Sequence, residues 1–171
     1  MRKAVFLDRD GTINVDKGYV HTPADFELIP GVIEALKLLQ KDGYLLVIIT
    51  NQSGIGRGMF TEGEYLDFQN WIDNYLKEKG INVCRQYYCP HVDSDKCNCR
   101  KPNTGLFEQA VDELDIDLIK SYAIGDKERD LAICKNGKTK GFYIGKEKFD
   151  DSILSVSSLL EAAKIIHCNY E

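Results

Sequence analysis

The sequence predicts an α/β fold in three layers, a parallel sheet with helices on both faces. Three observations carry this. Strand-like and helix-like segments alternate along the chain. Tyr44-Leu45-Leu46-Val47-Ile48-Ile49 is apolar without a break, as suits a strand covered on both faces. The polar clusters at Asp8, Thr50 and Asp126 each begin where a predicted strand ends, and sheets of this class carry their sites outside the carboxyl ends of the strands.

Residues 3–7, with Ala4-Val5-Phe6-Leu7, read as the first strand. A polar stretch with Gly18 and Pro23 runs on to Pro30-Gly31. Val32, Ala35, Leu36 and Leu39 share one face of a helix over residues 32–41, with Gly43 just past its end. The apolar run at 44–49 is the second strand, and residues 50–58 form a loop of glycine and small polar residues. Thr61 and Glu64 make a capping box for a second helix, whose apolar face is Tyr65, Phe68, Ile72, Tyr75 and Leu76 and which Gly80 ends. Val83 to Cys89 is a weaker strand, and residues 90–102 an excursion without regular structure. Leu106, Phe107, Ala110, Val111 and Leu114 mark a third helix. Tyr122-Ala123-Ile124 is a short strand, Gly125-Asp126 opens a turn and a fourth helix that Gly137 ends, and residues 141–144 are the last strand. Ser157 or Ser158 caps a C-terminal helix to about His167.

The 171 residues suit a single domain over 1–171, with no repeat, linker or low-complexity segment. A net charge of -5 argues against a general nucleic-acid binder, which needs a basic face. No apolar run nears the ~20 residues of a membrane span, and only four apolar residues follow Met1-Arg2-Lys3, too few for a signal peptide. No membrane partner and a cytoplasmic location are therefore expected, with the six cysteines as thiols or metal ligands. A monomer is expected.

Asp8-Arg9-Asp10-Gly11-Thr12 is the most telling segment. Two carboxylates this close repel, so a cation with a phosphate, or a proton shared between them, must offset the repulsion. A lone Asp-x-Asp is usually a turn, and a lysine before proline is usually on the surface. The ordered set Asp8, Asp10, Thr50, Asn51, Lys101, Asp126 and Asp130 is far more specific. Such carboxylates with one ammonium and a hydroxyl suit Mg²⁺ and a phosphoryl group. Asp8 would be the nucleophile and Asp10 the general acid/base. Thr50 and Lys101 would hold the phosphate oxygens, Asp126 would complete the metal site, and Asp130 would hold a metal-bound water or orient Lys101.

A second metal signal is Cys89-Pro90-His91 followed, five residues on, by Cys97-Asn98-Cys99. Cys₃His is a closed tetrahedral set for structural Zn²⁺. This zinc loop, over 89–99, would aim Arg100 and Lys101 at the site. Cys84, Cys134 and Cys168 are expected to pack as small apolar residues. His167 is expected near a helix C-terminus.

Asp8-Arg9-Asp10-Gly11-Thr12, Thr50-Asn51, Lys101 and Gly125-Asp126-x-x-x-Asp130 together resemble the four motifs of the haloacid dehalogenase (HAD) superfamily of phosphohydrolases. The resemblance implies a Rossmann-like fold and an aspartyl-phosphate at Asp8. It also implies Mg²⁺ held by Asp8, the Asp10 carbonyl and Asp126. The spans 13–43 and 52–100 are too short for a large cap domain, so the site should be open. Two branches of the family carry a zinc segment of this kind, one acting on a heptose bisphosphate on the way to lipopolysaccharide and other surface glycans, the other on histidinol phosphate. Residues 13–21 and 52–60 resemble the heptose branch. A bisphosphate needs further cations, and Arg57, Arg100 and Lys17 could supply them. Gly56 stands where that branch commonly has alanine, which predicts a looser loop. A phosphoacceptor receiver domain, a zinc-ribbon interaction module and a non-catalytic sugar-phosphate binder are the alternatives, and the first lacks Asp-x-Asp-Gly-Thr.

Overall fold

In the computed structural model, which describes residues 1–169, every strand pairs in parallel within one six-stranded sheet. The strands are β1 (Ala4–Leu7), β2 (Leu45–Asn51), β3 (Val83–Cys89), β4 (Tyr122–Gly125), β5 (Lys140–Ile144) and β6 (Ile153–Val156), in the order β3-β2-β1-β4-β5-β6. The helices are α1 (Val32–Lys41), the single turn α2 (Ser53–Gly56), α3 (Glu62–Glu78), α4 (Gly105–Leu114) and α5 (Leu159–Cys168). The predicted three layers are present. Side chains alternate along β1, so Val5 and Leu7 enter one core with α1, α3 and α5, while Ala4 and Phe6 enter the other with α4. Among the described residues no cap domain is inserted.

Helix α1 has the predicted bounds, and Val32, Ala35, Leu36 and Leu39 are its buried face. The capping box of α3 is present: Thr61 Oγ1 accepts from the Glu64 N–H at 3.1 Å, and the Glu64 carboxylate accepts from the Thr61 N–H at 2.7 Å. Ser158 caps α5, and Ser157 holds Glu161 instead. His167 lies in the last turn of α5, as expected, and its Nδ1 sits 2.9 Å from the Asp42 carboxylate.

Four expectations need correction. The strand at 140–144 is not the last: Ile153–Val156 adds β6 beside β5 at the edge of the sheet, and its alternation was too short, with Leu154 left exposed, to stand out. The expected fourth helix is a 3₁₀ segment, Glu128–Asn136. Asp130 pins its first turn, accepting from the Lys127 N–H at 3.0 Å. Cys134 is buried, but Cys84 and Cys168 are exposed because their positions face away from both cores. Gly56 does not loosen its loop: its N–H donates to the Pro90 carbonyl at 2.9 Å, and a Cβ there would lie 2.6 Å from that oxygen. Its missing side chain lets α2 lie directly against the Cys89–Cys99 loop.

The register sets the site. Leu7 pairs with Ile48 on one side and Ile124 on the other, so the chain leaves β1, β2 and β4 at one edge. Asn51 pairs with Cys89, which starts the cysteine loop at that same edge.

Candidate active site

The edge gathers Asp8, Asp10, Asn51 and Lys101 around a cavity of about 300 Å³. Lys101 is 3% exposed and lies at its floor. Its Nζ donates to Asp8 Oδ1 at 2.8 Å, to Asp130 Oδ1 at 2.7 Å and to the Ile49 carbonyl at 2.6 Å. All three ammonium protons are thus used, which is what a buried lysine requires. Asn51 fixes the backbone beneath it: its side chain accepts from the Lys101 N–H at 3.0 Å and donates to the Lys101 carbonyl at 3.1 Å.

Burial pushes the Asp8 carboxyl up to about 7, against the pull of the Lys101 ammonium, with Asp130 and Asp10 adding to the rise. For Lys101, burial acts downward but the carboxylates of Asp8 and Asp130 outweigh it, so the ammonium is held above its usual range. Asp8 and Asp130 therefore share one cation and lack charge balance, a setting that calls for a further cation.

Where that cation would sit is marked by Asp8, Asp126 and Asp130, each with a carboxylate oxygen within 4.8 Å of the others'. Asp126 Oδ1 is buried and has no hydrogen-bond partner. Its other oxygen accepts from Lys127 Nζ at 3.0 Å. Burial raises the Asp126 carboxyl, with Lys127 opposing. Gly11, at φ +86°, has no room for a Cβ because the Asp126 carboxylate occupies that place. An orphaned carboxylate oxygen beside two more carboxylates is the donor set that Mg²⁺ takes.

Asp10 is held differently. Its carboxylate accepts from Arg9 Nη2 at 2.9 Å, from Asn14 Nδ2 at 2.9 Å and from Gln52 Nε2 at 3.1 Å. Arg9 is fully buried, lies 5.3 Å from the Phe68 ring and also donates to the Val20 carbonyl at 2.6 Å. Thr50 lies just below the cavity, its Oγ1 taken by Gln52 Nε2 at 2.9 Å.

The four predicted zinc ligands cluster as expected. Among Cys89, His91, Cys97 and Cys99, five of the six Sγ and Nδ1 pairs lie 3.1–3.6 Å apart, and all lie within 4.8 Å. A tetrahedron with Zn–S near 2.3 Å has edges of about 3.8 Å, so a small outward relaxation fits the ion. At Cys97 burial acts upward, but the Arg100 N–H and the neighbouring thiols bring it down to about 7, which favours a thiolate ligand.

Arg57 and Arg100, the expected cations for a second phosphate, both line the cavity. Lys17 does not: it pairs with Glu27 at 2.8 Å, because the loop at 15–22 turns it outward. Sequence reading gave no role to Arg9, Asn14, Gln52, Lys127 or Arg129. Arg9 stands inside the aspartate motif, and a charged residue between two acids was the available signal.

The sequence model of the polynucleotide kinase 3 phosphatase family matches residues 3–151. A D-glycero-beta-D-manno-heptose-1,7-bisphosphate 7-phosphatase of Pasteurella multocida is 44% identical over 95% of this chain and 93% of its own. One of Photorhabdus laumondii is 50% identical over 95% and 94%. Among solved structures, a D,D-heptose 1,7-bisphosphate phosphatase from B. bronchiseptica, complexed with magnesium and phosphate, superposes with a TM-score of 0.88 at 26% identity, covering 98% of this chain and 99% of the other.

Proposed function

This chain belongs to the polynucleotide kinase 3 phosphatase family of HAD phosphatases, and from that membership we propose that it is a Mg²⁺-dependent phosphomonoester hydrolase that removes the C7 phosphate of D-glycero-D-manno-heptose 1,7-bisphosphate. The observation that carries the chemistry is Asp8, bonded through Oδ1 to Lys101 and flanked by the unpartnered Asp126 Oδ1.

Asp8 attacks phosphorus with a carboxylate oxygen, and the bond from phosphorus to the sugar oxygen breaks. Asp10, fixed by Arg9, Asn14 and Gln52, gives its proton to the leaving alkoxide. It then takes a proton from the water that splits the aspartyl-phosphate. As Asp8 engages phosphorus, the Lys101 proton that it held turns to a non-bridging oxygen, Thr50 holds another, and Asn51 keeps Lys101 in place. Asp8, the Asp10 carbonyl and Asp126 would hold Mg²⁺, which would supply positive charge against that building on the phosphoryl oxygens. Asp130 orients Lys101. Zn²⁺ in the Cys89, His91, Cys97 and Cys99 cluster has four protein ligands and so a structural task.

Arg57 and Arg100 at the cavity suit the second phosphate and do not suit the ammonium of histidinol phosphate. We read the chain as one domain, a monomer working in the cytoplasm on a small sugar phosphate; no helix among the described residues is long and apolar enough to cross a membrane.

The test is phosphate release from the heptose bisphosphate and from histidinol phosphate, with and without Mg²⁺. Release from the bisphosphate with Mg²⁺, falling roughly 10³-fold or more in Asp8→Asn, is expected. Preference for histidinol phosphate, or an Asp8→Asn enzyme as fast as the wild type, would overturn the reading.

A further inference from the structure

The rim of the cavity holds more positive charge than the reaction centre needs. Arg57, Arg100, Lys127 and Arg129 all line it. Lys127 is engaged with Asp126. Arg100 Nε donates to Asp93 Oδ1 at 2.5 Å. Arg57 and Arg129 are exposed, and their guanidinium groups make no ion pair among the described residues. These three arginines come from three separate parts of the chain: the end of α2, the residue after the cysteine loop, and the 3₁₀ segment that follows β4.

All three guanidinium groups stand around the opening of the same cavity, and among the described residues only Arg100 has a carboxylate partner, the exposed Asp93. Three cations around one opening favour an anion there. Asp93 carries one negative charge, while a phosphate monoester near neutral pH carries up to two and offers three oxygens. Planar guanidinium forks match such oxygens well.

We propose that Arg129 is a specificity-determining residue: with Arg57 and Arg100 it forms the subsite for the substrate's second, non-reacting phosphate. This rests on the reading of the chain as a sugar-bisphosphate phosphatase and assigns to its substrate recognition a residue at a variable position of the fourth motif. Arg129 sits three positions after Asp126, so the turn that delivers the acidic site also delivers this cation to the rim. Its neighbours Glu128 and Lys135 pair with each other and leave it unclaimed.

The experiment compares two probes that share the scissile phosphate, the heptose 1,7-bisphosphate and the heptose 7-phosphate, with wild type, Arg129→Gln and Arg129→Glu. The side chain is exposed, so both variants should fold, and a thermal melt checks this. Arg129→Gln is expected to lower kcat/KM about 10-fold for the bisphosphate and less than twofold for the monophosphate, mainly through KM, and Arg129→Glu to widen the gap. Equal losses on both probes, or no loss on either, overturn the proposal. A wild-type enzyme that hydrolyses both probes equally well also overturns it, since no second phosphate is then sensed. A wild-type enzyme that hydrolyses neither overturns the functional reading itself, and the assigned subsite with it.

Discussion

Lys101 shows how much one buried side chain can hold. Its ammonium is the common partner of Asp8 and Asp130, both nearly buried themselves. Lys101→Met would leave two carboxylates facing each other without a cation. It should cost about 3–5 kcal/mol of stability in Mg²⁺-free buffer, read by urea unfolding, and abolish turnover. Asp8 gives a pH-dependence of definite sign. Folded, it keeps its proton to about 7, against an ordinary 3.8, so between those values the folded chain binds more protons than the unfolded one. Stability then falls as pH rises through that window. Denaturation of the Mg²⁺-free protein across it should show that decline, and Asp8→Asn should flatten it. An unchanged slope in the variant would assign the effect elsewhere. At this scale the candidate site residues were legible, because Asp8, Lys101 and Asp126 belong to motifs with fixed spacing. Their supports were not. Asn14 and Gln52 are ordinary polar residues until the fold turns them toward Asp10. Arg9 gained its meaning from its complete burial against Phe68, which no linear pattern encodes.

Among the elements, the Cys89–Cys99 loop has the clearest dependence on something besides its own packing. It contains only a three-residue 3₁₀ turn, Asp93–Asp95, with no buried residue. Yet it leads directly into Arg100 and Lys101. Removing Zn²⁺, or replacing Cys99 by Ser, should therefore raise protease sensitivity over 90–102 and weaken catalysis by letting Lys101 drift. Full activity in a sample verified as zinc-free by metal analysis would refute that role. The Cys-x-His and Cys-x-Cys spacing made this loop legible before any coordinates. What spacing could not convey is that Gly56 lets α2 abut it through the Pro90 carbonyl. The 3₁₀ winding of 128–136 was equally hidden, since it follows from Asp130 reaching back to Lys127 and across to Lys101. The short β6 lacked the length that lets alternation be told from a loop.

On the scale of the molecule, the parallel sheet and its two helical layers followed from the unbroken apolar run of β2 and the regular return of amphipathic helices. The pairing of α1 with α5 did not, because it joins segments more than a hundred residues apart. His167 and Asp42 clasp these helices away from the catalytic edge, and Asp42 is 5% exposed. His167→Ala should cost about 1–3 kcal/mol, by removing one partner of a buried carboxylate, with kcat unchanged; thermal melts and steady-state kinetics would separate the two. The position of β1 in the middle of the sheet has a consequence for how the protein is made. Asp8 leaves the ribosome well before Asp126, which lies 118 positions later. At ordinary translation speeds that is roughly 6–24 s. Through that interval β1 can dock only on β2, with its other edge bare and Asp8 without its acidic partner. The nascent chain therefore cannot bring Asp8 and Asp126 together until β4 closes beside β1, and a chaperone that shields the open edge of β1 would be guarding the candidate site before it exists.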